Sequence, residues 1–189
     1  MTPDTLSGGF ATPPLDSARA FRMILDVLAR PGTIRKLDTA TPPAPLSHAA
    51  GTLALTLLDG TTPVHLAGGH DHPDLRAWIT FHTGAPLVSA EEAAFAFGTW
   101  DALLPLDRFA IGTPEYPDRA ATLVIDGVTL ANDGAHLSGP GIRDSARLSL
   151  PATAPFIANH ALFPLGFDAF LTCADRIAGL PRSTIVRDA

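Results

Sequence analysis

The sequence predicts one α/β domain of three layers, α/β/α, with a mixed sheet at its centre. Three observations predict it. The chain has 189 residues and no internal repeat or linker, which fits a single domain spanning residues 1–189. Helical and strand patterns alternate through the first half. Short apolar runs divided by turn dipeptides fill the second half.

The first helix is expected over Ser17 to Ala29, with Asp16 as N-cap. Phe21, Ile24, Leu25 and Leu28 recur at helical spacing and define one buried face. Pro31 and Gly32 end it, because a residue before proline avoids the helical region. Thr33 to Leu37 reads as a strand, followed by a proline-rich crossing. Ser47 caps a second helix, His48 to Leu58, apolar on most sides and therefore buried. Val64 to Leu66 is a short strand. A third helix starts at Pro73 and carries Leu75, Trp78, Ile79 and His82 on one face, with Gly84 at its end. Leu87 and Val88 form a short strand, Ser89 and Glu92 match a capping box, and Thr99 to Leu106 holds a further turn or two of helix.

Beyond this point strands are expected at Phe109–Ile111, Ala121–Ile125, Val128–Leu130, Ala135–Leu137 and Leu148–Leu150. Asp126-Gly127 and Asn132-Asp133-Gly134 are hairpin signals. Phe156 to Leu162 is weakly helical, and strands at Ala169–Cys173 and Thr184–Val186 close the chain.

Composition narrows the function. Charged residues are only 17 % of the chain and mean hydropathy is +0.21, against roughly 25 % charge in typical soluble domains. A surface so poor in charge suggests an obligate oligomer or complex subunit; a compact monomer from an alanine- and arginine-rich proteome is the alternative, and a single lysine among thirteen basic residues suits it too. A formal charge of −6 and a pI near 5.5 argue against nucleic-acid binding. No run is long enough to span a bilayer, and the first residues carry no signal-peptide pattern, so the expected location is the cytoplasm. Cys173 is the sole cysteine, which excludes an intrachain disulfide; in its apolar strand it reads as a buried, inert thiol.

Polar chemistry gathers on the loop between two apolar runs, FAIGTPEYPDRAATLVI, Phe109 to Ile125. It holds Glu115, Tyr116, Asp118 and Arg119, and Gly112, Pro114 and Pro117 stiffen it. Tyr116 is the only tyrosine. On these residues alone an ordinary strand–turn–strand link is the favoured reading over a binding loop. Four arginines stand beside turn residues: Arg30, Arg119, Arg143 and Arg182. Converging, they would clamp an anion or an acidic partner; dispersed, they are four surface arginines. His82 extends an apolar helix face and favours a structural role over that of a general base. The His70-Asp71-His72 triplet lacks further ligands at metal-site spacing and reads as an exposed loop before a helix. Ser138-Gly139-Pro140-Gly141 lacks the lysine of a phosphate loop.

Eight blocks occur in one order along nearly the whole chain. They are GGF (8–10), LARPGTI (28–34), LTLLDGTTPV (55–64), FHTGAPLV (81–88), IGTPEYPDRAATLVI (111–125), LSGPGI (137–142), FPLGFD (163–168) and LPRSTIV (180–186). The ordered set resembles the PhnH family of phosphonate metabolism. Departures are mild: Thr12-Pro13-Pro14 stands where the family carries Asp-Pro-Val, Leu28 replaces a methionine and Phe167 a valine.

The resemblance implies a fold like that of type I pyridoxal-phosphate transferases, without that cofactor. It implies a homodimer that joins subunits G, I and J of the carbon–phosphorus (C–P) lyase core complex. That complex couples a phosphonate to the ribose of ATP with loss of adenine, the alpha-D-ribose 1-methylphosphonate 5-triphosphate synthase step. The residues bear on this separately. A pyridoxal enzyme needs a Schiff-base lysine, and only Lys36 is available, in an expected strand near the start of the chain. No convincing nucleophile, base or metal cluster is present, which suits a structural or accessory subunit. The alternatives are a stand-alone enzyme, or a nucleotide- or phosphonate-binding module using the Glu115–Arg119 loop and the turn arginines.

Overall fold

A computed structural model describes residues 6–189. Its centre is a six-stranded mixed sheet built from β1 (Ile34–Lys36), β2 (Val64–Leu66), β3 (Phe95–Gly98), β4 (Thr122–Asp126), β7 (Asp168–Cys173) and β8 (Arg176–Leu180). The strand order is β1-β8-β7-β4-β3-β2. Strands β2, β3, β4 and β7 run parallel, whereas β8 is antiparallel to both β7 and β1. A second, antiparallel sheet joins β5 (Ala135–Ser138) to β6 (Ala146–Leu148) and β9 (Ile185–Arg187) in the order β6-β5-β9.

Alternation along the central strands sorts two cores. Phe97, Val124, Phe170 and Ile177 point to one face, where α1 (Pro13–Ala29), α2 (His48–Leu57) and α3 (Pro73–Thr83) cover them with Ile24, Val27, Leu53, Leu75, Trp78 and Ile79. Ala96, Leu123, Ile125, Ala169 and Leu171 point to the other face. That side is covered by Leu103 of α4 (Trp100–Leu103), Phe156 of α5 (Ala154–His160) and Leu137, Leu148 and Val186 of the small sheet. The protein is a mixed α/β structure, but its third layer is two short helices and a sheet rather than a full helical layer.

Local chemistry explains the helix ends. Pro13 and Pro14 open α1, and Thr12, not Asp16, is its N-cap; the Asp16 carboxylate accepts a hydrogen bond from the Thr12 amide at 2.7 Å. Ser47 caps α2 by accepting from the Ala50 amide, and Gly84 ends α3 in the left-handed conformation at φ 70°. On α1, Ile24 is buried as expected, whereas Phe21 and Leu25 are 48 % and 54 % exposed. The helix is apolar on both sides, and only one side meets the sheet.

Four local expectations need correction. No strand forms at Val128–Leu130, and Phe109–Ile111 contributes a single bridge between Ile111 and Ala120. Asp126-Gly127 turns no hairpin: β4 lies between two parallel neighbours, and the Gly127 amide bonds the Thr172 carbonyl. Strands β3 and β8 arise from sequence that carried no strand expectation. Cys173 closes β7 opposite Arg176 and is half-buried rather than sealed.

Gly141 is required by a close approach. Gly141 has φ 80°, and a Cβ there would lie 1.9 Å from the Ala29 carbonyl oxygen. Gly141→Ala is therefore expected to cost about 2–4 kcal/mol, from left-handed strain and overpacking together. Chemical denaturation of the two proteins measures it.

Candidate functional site

Four turns meet at the amino-terminal end of the parallel strands. The loop 111–120 leads into β4, the turn 181–184 follows β8, the segment 138–143 follows β5, and the turn 30–33 precedes β1. They touch in sequence. Arg182 Nη1 donates to the Pro117 carbonyl at 2.6 Å. A Cβ on Gly139 would meet the Ser183 carbonyl oxygen at 3.2 Å, and Gly141 packs on Ala29. The backbone thus lays the four arginine-bearing turns side by side.

Their side chains do separate work. Arg182 forms a fork with Asp168, Nε to Oδ1 at 3.1 Å and Nη2 to Oδ2 at 2.6 Å, and its own amide also donates to Oδ1 at 2.8 Å. Both side chains are largely shielded from solvent, so the pair acts as a rivet between β8, β7 and the loop. Arg119 stacks over the Tyr116 ring at 3.9 Å from its centroid. At an exposed position such a contact is worth about 0.5–1 kcal/mol. Glu115 and Asp118 are exposed beside it. Hydrogen bonds between Thr113 and Tyr116 close the tip of the loop. Arg143 is exposed, and Arg30 pairs with Asp26 at 3.0 Å on α1. The four guanidinium groups therefore do not form one clamp.

His82 lies elsewhere, on the helical face of the sheet. Its Nε2 contacts the Leu6 carbonyl at 2.9 Å, and its ring packs against Trp78 and Phe81. Trp78 Nε1 donates to the Ser7 carbonyl, so both rings hold the amino-terminal segment down on α3.

The opposite end of the parallel strands holds a polar cluster that sequence reasoning missed. Asp126 ends β4 and accepts hydrogen bonds from the Ser47 amide (2.9 Å), His70 Nε2 (3.1 Å), Thr172 Oγ1 (2.8 Å) and the Gly127 amide (3.0 Å). Burial alone would raise its pKa, but the bonds from His70, Ser47 and Thr172 outweigh burial and hold it below the ordinary carboxylate range. The charge also faces the amino terminus of α2, where a helix favours an anion. His–Asp pairs orient imidazoles in hydrolases. Here, however, the His70 and Asp126 side chains are 3 % and 2 % exposed, which seals them from any substrate. The cluster is a strut joining β4, β7, α2 and the turn at 68–70. Its signal in the sequence was a carboxylate closing an apolar strand, LVID, read there as a hairpin residue. Of the triplet read as an exposed loop before a helix, only His70 departs, being buried in the strut; Asp71, paired with Arg76, and His72, which caps α3, are exposed. Among the described residues no group of three or more His, Cys, Asp or Glu could hold a metal ion.

Two comparisons decide the family. The model for PhnH, a bacterial phosphonate metabolism protein, matches residues 8–187. The chain belongs to the PhnH family. A curated relative from Rhizobium meliloti (strain 1021), alpha-D-ribose 1-methylphosphonate 5-triphosphate synthase subunit PhnH, is 42 % identical over 189 residues, covering 94 % of each chain. Several blocks that carried the PhnH resemblance, at 28–34, 111–125, 137–142 and 180–186, are the turns brought together at the amino end of the strands. A pyridoxal cofactor does not fit this chain. Its only lysine, Lys36, is 67 % exposed on the end strand β1 and bound to Asp38 at 2.6 Å. Among the described residues no helix is long and apolar enough to cross a membrane.

Proposed function

We propose that this chain is a structural or accessory subunit of the phosphonate-degrading C–P lyase core complex, serving the alpha-D-ribose 1-methylphosphonate 5-triphosphate synthase step. The observation that carries the reading is its 42 % identity, over 94 % of both chains, to a subunit bearing that name. The proposal includes a homodimer that joins subunits G, I and J in the cytoplasm.

The surface supports assembly. Leu15, Phe21, Met23 and Leu25 of α1 are 42–56 % exposed. Leu104, Ile157, Leu162 and Phe163 are also 39–56 % exposed, and Leu162 lines an apolar cleft of about 320 Å³ with Leu106, Ile111 and Phe167. Apolar side chains in such clusters mark surfaces that partners cover. The largely exposed Glu115–Arg119 loop fits a contact surface better than a reaction centre.

Co-expression with subunits G, I and J, followed by affinity purification and light scattering, tests the reading. A stable dimer that co-purifies is expected; a monomer that fails to associate overturns it. Tyr116→Ala isolates the loop. Its ring is half-exposed, so melting should change by less than about 1 kcal/mol in stability terms while assembly weakens. Unchanged assembly would remove the loop from the contact surface.

A further inference from the structure

The chain is acidic overall, with a formal charge of −6, yet one groove of its surface is basic. Between α1 and β1 lies an open groove of about 580 Å³ lined by Arg22, Met23, Asp26, Arg30, Arg35 and Lys36. Four cations face one carboxylate there. Asp26 is shared by Arg30 and Arg35, at 3.0 and 2.7 Å, and Lys36 is held by Asp38 and Asp175. Arg22 makes no ion pair among the described residues. Arg22, Asp26 and Arg30 succeed one another at i, i+4 and i+8, forming a ridge along α1. On the far side of that ridge a second groove, of about 250 Å³, has Arg22, Asp26 and Arg30 along one wall and adds the apolar Leu25 and Ala29. Basic and apolar lanes therefore lie side by side on one exposed helix face.

We propose that this double lane docks an acidic, amphipathic segment of another subunit of the complex, its carboxylates on Arg22 and Lys36 and its apolar side chains along Leu25. The inference rests on the assembly reading above and names the kind of surface that α1 meets. Charge decides the occupant. A second copy of this chain placed across a two-fold axis here would bring the same cations against themselves, which is repulsive. A compact anion is a poorer match, because the groove is wide and open and would leave a small ion mostly in water. A segment carrying several carboxylates and an apolar stripe satisfies both lanes at once.

The test uses the full-length protein titrated onto the complex of the remaining subunits at low and moderate salt. Arg22→Glu with Lys36→Gln is expected to weaken association about tenfold or more and to flatten its salt dependence, while melting and oligomeric state hold. Arg22→Gln alone, at an exposed helix position, is the second variant; a smaller loss of the same kind is expected. Equal affinity and equal salt slope for wild type and variants would overturn the inference and leave the assembly reading intact. Wild type failing to bind the remaining subunits would overturn both. Binding of inorganic tripolyphosphate by wild type and not by Arg22→Glu, with assembly unchanged, would assign the groove to a small anion and end the proposal.

Discussion

Asp126→Ala is expected to destabilise the fold by about 3–5 kcal/mol, the range for breaking a buried charged network on one side. The substitution leaves the Ser47 amide, His70 Nε2 and Thr172 Oγ1 without their acceptor in a sealed interior. It also removes the anion at the start of α2. Urea denaturation followed by circular dichroism measures the loss; a change under 1 kcal/mol would show that the cluster is not a strut. The same group predicts a pH dependence. Its folded pKa is lowered, so its contribution is fully present above the ordinary carboxylate value of about 4 and disappears as pH falls through the lower, folded value. Wild type should lose stability below about pH 4 more steeply than Asp126→Asn. Melting curves between neutral and strongly acid pH test that sign.

Arg182→Ala is the second large effect, expected at about 2–4 kcal/mol. Arg182 supplies three side-chain hydrogen bonds, two to Asp168 and one to the Pro117 carbonyl. Removing it leaves a shielded carboxylate and frees the loop from β7. Trypsin should then cut after Arg119 markedly faster than in wild type. Arg182→Lys is expected to rescue little, since an ammonium cannot grip both carboxylate oxygens and the carbonyl together. Unaltered proteolysis would show that the loop is held by other contacts.

Elements with strong local signals were legible in the sequence. Ser47 before α2, Pro73 and Gly84 around α3, and the β2 run Val64–Leu66 all stand where capping and periodicity put them. What failed depends on distant partners. Phe95–Gly98 is too short to signal a strand by itself, and its place between β2 and β4 makes it one. The β7–β8 hairpin turns at Ala174-Asp175, with Ala174 at φ 51°, and no glycine or asparagine announces it. Its left-handed alanine is tied down from outside: the Ala174 carbonyl accepts from Ala49 and the Asp175 carbonyl from Leu37. Periodicity on α1 was right about its period and half right about its face. Phe21 and Leu25 share the helical period of Ile24 but turn away from the sheet, and the spacing alone does not tell which edge of an apolar face is covered. The loop Glu115–Arg119 was located correctly, but its neighbours across the molecule were not, because contacts such as Arg182 to Pro117 span 65 residues.

The margins of the six-stranded sheet limit how copies can join. One margin is β1, three residues long, with Arg35 and Lys36 outermost; the other is capped by Leu87 bridging Val64 just after Pro86. A short charged margin and a proline-flanked one both discourage strand addition. Growth of a continuous ribbon from one molecule to the next is thereby blocked. Contacts in an assembly are therefore expected at helix flanks, loop tips or the small sheet rather than by extension of the six-stranded one.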